Sequence, residues 1–244
     1  MRNVRLDICY DGTRYRGWQR LANNENTIQE KLEKALSRIL GEPIEISGSG
    51  RTDAGTHAAM QVANFHCNST MPAEQILLEL RKYLPEDIGI YSCKNVSPRF
   101  HARLNAKTKT YRYRLWHSQE PCVFDRKYVY MRPGSYDVES MQTAAAYFLG
   151  EHDFSAFCAN KNMKKTTLRY IESFTIIKNE QEIVFQVTGN GFLHHMVRIM
   201  VGTLLEVGRG VRKPDSIADL FGANRADAGE LVPACGLCLM EVTY

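Results

Sequence analysis

The sequence predicts an α+β fold made of two ferredoxin-like, split βαβ units, on three observations. Strand-like and helix-like segments follow one another in the order β-α-β-β-α-β across residues 3–95. The same order of elements recurs in the second half without any repeat of sequence. No low-complexity stretch or long linker separates the halves, which predicts one body with an N-terminal half over 1–105 and a C-terminal half over 106–244. Two such units could pair their sheets side by side, leaving a cleft between them.

Each element has its own signal. Residues 3–9 read as a strand that ends in the turn Tyr10-Asp11-Gly12-Thr13. Over 27–40, Ile28, Leu32, Ala35, Leu36, Ile39 and Leu40 fall on one face at helical spacing. Thr27-Ile28-Gln29-Glu30 is a capping box before that helix, and Gly41 is its stop. Strands are expected over 43–47, 60–67 and 87–95, and a second helix over 72–84, ending before Pro85. In the second half, strands are expected over 107–116, 167–178, 182–188 and 237–243, with Asn179-Glu180 as a hairpin turn. Helices are expected over 138–149 and 192–207, with an extra one over 215–221.

The bulk numbers exclude some classes. An apolar fraction of 44% and a charged fraction of 24% over 244 residues suit a soluble globular chain rather than a disordered one. No stretch approaches the ~18–20 apolar residues of a membrane span. The opening residues lack the apolar run of a signal peptide. Seven scattered cysteines then predict free thiols in a reducing, cytoplasmic compartment. Cys235-Gly236-Leu237-Cys238 has redox spacing, but it opens a strand rather than a helix, so it reads as two packed thiols.

Three segments have the composition of a site. The first is Gly48-Ser49-Gly50-Arg51-Thr52-Asp53-Ala54-Gly55-Thr56-His57-Ala58, between two strands. Its glycines allow sharp turns and close backbone approach, and it lacks the Gly-Lys-Ser/Thr ending of a phosphate loop. On composition alone, Asp53 reads first as an acid closing a turn. The grouping of Gly, Arg, Asp and His also suits a functional loop. The second segment, 192–202, is apolar nearly all round, with His194, Arg198 and Gly202 in line at intervals of four. A buried Arg198 would require a carboxylate, a phosphate or several carbonyls. His194 and His195 lack metal-ligand spacing and read as core or RNA-facing, so no metal is expected. The third segment is Lys107-Thr108-Lys109-Thr110-Tyr111-Arg112-Tyr113-Arg114-Leu115. Strand alternation puts Tyr111 and Tyr113 on one face and Arg112 and Arg114 on the other. The tyrosines read either as core or as a stacking platform for a base.

Basic residues gather near these segments. Arg99, His101, Arg103, Lys107 and Lys109 form one set; Lys161, Lys164, Lys165 and Arg169 a second; Arg209, Arg212 and Lys213 a third. Their repeated placement suits a track for a phosphate backbone more than a plain solvated face. An RNA-modifying enzyme, a non-catalytic RNA-binding module and a nucleoside hydrolase remain open at this level.

The ordered motifs resemble the tRNA pseudouridine synthase A family. Gly50-Arg51-Thr52-Asp53-Ala54-Gly55 with His57-Ala58 is similar to its signature. Tyr10-Asp11-Gly12-Thr13 with Gly17-Trp18-Gln19, Tyr111-Arg112-Tyr113, 192–198 with Gly202, and Pro233, Gly236-Leu237 and Tyr244 match in order along nearly the whole chain. Thr56 departs from the usual Val, Cys235 and Cys238 from the usual closing residues, and 21–25 from a Gln-rich loop start. The resemblance implies a cofactor-free homodimer, its two halves sharing a continuous, mainly antiparallel sheet with a basic cleft between them, that converts uridines in the 3′ part of the tRNA anticodon stem-loop to pseudouridine. It further implies that Asp53 is catalytic, Tyr111 stacks on the target uracil, Arg198 pairs with Asp53 and Arg51 helps displace the target nucleotide. Arg112, Arg114, Lys107, Lys109, His194, His195, Lys164 and Lys165 are then the candidate RNA contacts.

Overall fold

A computed structural model describes residues 1–22, 26–160 and 166–244. In chain order the elements are β1 (Arg2–Tyr10), α1 (Ile28–Leu40), β2 (Ile46–Gly48), β3 (His57–Cys67), α2 (Ala73–Tyr83), β4 (Ile88–Val96), β5 (Lys109–Trp116), β6 (Tyr130–Met131), α3 (Val138–Ala146), β7 (Gly150–Asp153), β8 (Leu168–Lys178), β9 (Glu182–Gly189), α4 (Met196–Gly208) and β10 (Leu237–Val242). The class is α+β. The described residues form two units by their contacts, Met1–Lys107 with Cys238–Tyr244, and Thr108–Leu237. The closing strand, read from the sequence as the last element of the C-terminal half, thus contributes its residues from Cys238 onward to unit 1.

In unit 1 the strand order β4-β1-β3-β2 is antiparallel throughout, the arrangement of a split βαβ unit. β10 joins β3 in parallel through Cys238 opposite His57 and Leu239 opposite Ala58. Leu6, Ile8 and Phe65 on the strands and Leu32 and Ile76 on the two helices are core residues, none more than 1% exposed. α1 begins and ends as its sequence signals. The Thr27 hydroxyl accepts from the Glu30 N–H, and Gly41 takes a left-handed φ of 70° while its N–H reaches Ser37 O. The Glu30 carboxylate itself turns to Lys34, 2.9 Å away. The C-terminus is tied down as well, since the Tyr244 hydroxyl donates to Ala102 O at 2.7 Å and Arg5 lies over its ring.

In unit 2, β5, β9 and β8 run antiparallel, β7 extends the edge beyond β8, and β6 pairs in parallel with β5. Phe148 organises the core, with Phe154, Phe157, Phe174 and Phe221 packed around its ring. β6 and β7 are too short, at two and four residues, for any period to mark them in the sequence.

Several boundaries differ from the sequence expectation. α3 stops at Ala146 because the N–H groups of Tyr147, Phe148 and Leu149 each bond three residues back, tightening the chain before Gly150 turns it at φ 93°. The helix expected over 192–207 begins at Met196, because His195 adopts a left-handed φ of 64°. The segment expected as a helix over 215–221 is a 3₁₀ turn, Pro214–Leu220, entered through Pro214. All seven cysteines are free thiols.

Candidate active site

The Asp53 loop spans residues 49–56 and joins β2 to β3, whose pairing sets Gly48 opposite Ala63. A loop closing a hairpin on a sheet edge is free to move unless something behind it holds it. Here two earlier segments do so. Gly12 lies so close that a Cβ on it would sit 2.0 Å from Thr56 O. A Cβ on Gly17, at φ 89°, would sit 2.5 Å from Thr52 O. Gly48 lies against the Trp18 ring, where a Cβ would sit 2.5 Å away. These approaches require glycine, which accounts physically for the Tyr10-Asp11-Gly12-Thr13 and Gly17-Trp18-Gln19 motifs.

Hydrogen bonds then fix the residues around Asp53 one by one. Gln61, wholly buried, accepts from the Ser49 hydroxyl at 2.6 Å and donates to Gly50 O at 3.0 Å. The Trp18 N–H donates to Thr52 O at 3.1 Å, and the Thr52 and Tyr10 hydroxyls share a bond of 2.8 Å. The Thr56 N–H donates to Asp53 O at 3.1 Å, and the Gly55 N–H to Tyr15 O at 3.2 Å. The Gly12 N–H donates to His57 Nδ1 at 3.1 Å. Burial pushes the Tyr10 phenol above its ordinary range, so it stays a neutral donor and acceptor. Asp53 itself is half-buried, and Arg51 is exposed, its Nε donating to Gln19 Oε1 at 3.0 Å. The turn at Asp53 is closed by its backbone carbonyl, a group every residue carries.

Sequence reasoning missed Tyr10, Thr52, Gln61 and Gln19 as parts of this site. Tyr10 and Gln19 lay inside motifs quoted only for their resemblance, and Thr52 lay inside the candidate loop without being given a role. Gln61 carries no local signal, because its role depends on β2 lying beside β3.

In unit 2, Tyr111 is buried and meets Phe192 edge-on, with ring centroids 5.1 Å apart. Tyr113 is core, and its hydroxyl donates to Pro233 O at 2.8 Å. Arg198 corrects the expectation of a buried guanidinium. It is half-buried, as is Glu206, on a helix whose other residues are buried, and its Nε donates to Val232 O at 2.7 Å. Gly202, in line with Arg198, leaves room for a neighbouring segment. The chain at Glu230 fills it, with its carbonyl oxygen 2.0 Å from where a Cβ would stand. His194 and His195 precede the helix rather than lying on its face, with ring centroids 3.7 Å apart. His194 is exposed and His195 half-buried.

The remaining basic candidates divide. Arg112 donates to Gln186 Oε1 at 3.3 Å, and Arg114 is held by Glu182 at 2.6 Å and Asp125 at 2.7 Å. The Glu182 hydrogen bonds raise the Arg114 pKa further above its ordinary value. Both arginines line a groove of about 260 Å³ with Thr175, Ile177, Val184 and Gln186, on the strand face opposite Tyr111. Lys107 is exposed and Lys109 half-buried. Lys164 and Lys165 lie outside the described residues.

Residues 8–105 and 144–244 match the family model described as tRNA pseudouridine synthase. The chain is 44% identical over 244 residues to a tRNA pseudouridine synthase A of Bacillus sp. strain KSM-64, covering all of both chains. It is 44% identical over 245 residues to that of Acetivibrio thermocellus, and 45% to a tRNA pseudouridine synthase A 2 of Clostridium perfringens, again over the full length of each.

Proposed function

The chain belongs to the tRNA pseudouridine synthase family, and we propose that it isomerises uridine to pseudouridine in tRNA without a cofactor, with Asp53 as the catalytic carboxylate. The observation that carries the assignment of Asp53 is the loop itself: one carboxylate at its centre, with the backbone tied on both sides. Such anchoring suits an acid that must meet a sugar carbon at a set distance.

The reaction needs little else from the protein. The N1–C1′ bond breaks, the uracil turns, a C5–C1′ bond forms, and the C5 proton leaves as N1 gains one. Atoms balance without any co-reactant. Asp53 serves as nucleophile at C1′ or as base toward the sugar. The uridine leaves its stack at a cost of about a few kcal/mol, which Tyr111 offsets in part by stacking on the uracil. Arg198 neutralises Asp53, and Arg51 helps displace the target nucleotide. The target lies in the 3′ part of the anticodon stem-loop, and Lys107, Lys109, Arg112, Arg114, His194, His195, Lys164 and Lys165 supply the wider RNA surface.

The enzyme works in the cytoplasm as a homodimer. Sedimentation at micromolar concentration checks the dimer, and a monomer there overturns it.

The test of the reaction follows from its chemistry. tRNA carrying tritium at uridine C5 releases the label to water only when C5 bonds to the sugar. Wild-type protein should release it, and Asp53→Asn should not, while binding tRNA with near-normal affinity. Turnover by the Asn variant would remove Asp53 from the mechanism.

A further inference from the structure

We propose that Tyr10 is a positioning residue for this reaction, its hydroxyl holding Thr52 and thereby the backbone that carries Asp53. The inference rests on Asp53 being the catalytic carboxylate. Tyr10 is the last residue of β1 and lies opposite Ala58 of β3 and Ile88 of β4, so its backbone is held from both sides. Its ring is 5% exposed and Thr52 is 7% exposed. The 2.8 Å bond between their hydroxyls is therefore shielded from water, where a hydrogen bond fixes geometry most firmly.

The position of this bond gives it its effect. Thr52 is bonded at its carbonyl by the Trp18 N–H and at its side chain by Tyr10, and it is covalently next to Asp53. The carbonyl contact sets where the peptide sits. The hydroxyl contact adds a second tie to the same residue through its side chain. Loss of that second tie frees Thr52 to shift, and Asp53, the next residue, shifts with it. The other restraints on 49–57 use backbone groups, the multiply bonded Gln61, or the side chains of Arg51 and His57. The Tyr10–Thr52 bond can be deleted by removing one oxygen with the ring left in place.

The proposal is tested by steady-state and single-turnover kinetics on full-length protein with tRNA. Tyr10→Phe should lower kcat about 10- to 100-fold, the scale of a small misplacement of a reacting group. KM should stay within about twofold, because no RNA contact is lost. Thr52→Val should reproduce the loss and Thr52→Ser, which keeps the hydroxyl, should restore most of it. The Tyr10→Phe/Thr52→Val double variant should be no slower than the worse single variant, since both break one bond. Wild-type kcat in Tyr10→Phe overturns the proposal. So do multiplying effects in the double variant, or an activity loss that matches the fraction of unfolded protein by circular dichroism. Asp53→Asn, run in parallel, separates the two ideas. If it turns over, the assignment of Asp53 fails; if it is inert while Tyr10→Phe is fully active, only the role of Tyr10 fails.

Discussion

A Cβ placed on Gly12 would stand 2.0 Å from the carbonyl oxygen of Thr56, well inside any van der Waals contact. The atom in the way is backbone, so no rotamer change relieves it. Gly12→Ala should therefore push the Asp53 loop off β1, costing about 1–3 kcal/mol of stability as overpacking does. Pseudouridine formation should fall further than stability alone accounts for. Urea melts and tritium release, measured on the same preparation, give the two numbers.

Thr56 should tolerate the opposite change. Its Oγ1 is buried and has no hydrogen-bond partner among the described residues. A buried hydroxyl in that state costs about 1–3 kcal/mol relative to an apolar group of the same shape. Thr56→Val should raise the urea midpoint, gaining about 1 kcal/mol with an unchanged m-value. An unchanged or lower midpoint would show the hydroxyl to be satisfied in solution.

Arg114 separates a structural cation from an RNA contact. It is held by both Glu182 and Asp125, and Glu182 is 9% exposed. Arg114→Ala leaves that glutamate without its main partner and should cost about 1–2 kcal/mol, discounted for the partial exposure of the pair. A phosphate contact would also change the slope of log affinity against log salt by about one. An unchanged slope in filter binding, with lower stability, assigns Arg114 to the fold and withdraws it from the RNA surface.

Asp137 caps α3. Its carboxylate accepts from the Ser140 hydroxyl at 2.6 Å and the Ser140 N–H at 3.0 Å, and these bonds hold its pKa below the ordinary carboxylate value. A carboxylate lowered in the folded state stabilises above its unfolded pKa, and that contribution is lost as pH falls through the folded value. Asp137→Ala should lower Tm by a few degrees at neutral pH. The gap to wild type should narrow as pH drops below 3.8, the unperturbed value. A gap independent of pH would mean the charge contributes nothing to the cap.

Much of the fold was legible because it is written in short-range patterns. α1 and its caps follow from apolar spacing, Thr27 and Gly41, all within one stretch of chain. The split βαβ order of unit 1 follows from element order alone. The start of α4 was not legible, because a histidine in a left-handed conformation has no sequence marker. Neither β6 nor β7 was legible, since each exists only through its partner strand.

The site divides the same way. By itself the sequence determined the chemistry available: one carboxylate in a glycine-rich loop, tyrosines alternating along a strand, and an arginine on an apolar helix. It also determined, through ordered motifs, the family. Only the tertiary structure decided what those motifs are for in unit 1. Gly12, Gly17 and Gly48 exist so that two distant segments can press against the Asp53 loop, and Tyr10 and Gln61 reach it from neighbouring strands. Close approach and a shared hydrogen bond are properties of pairs far apart in sequence, and a linear pattern carries no distance between them.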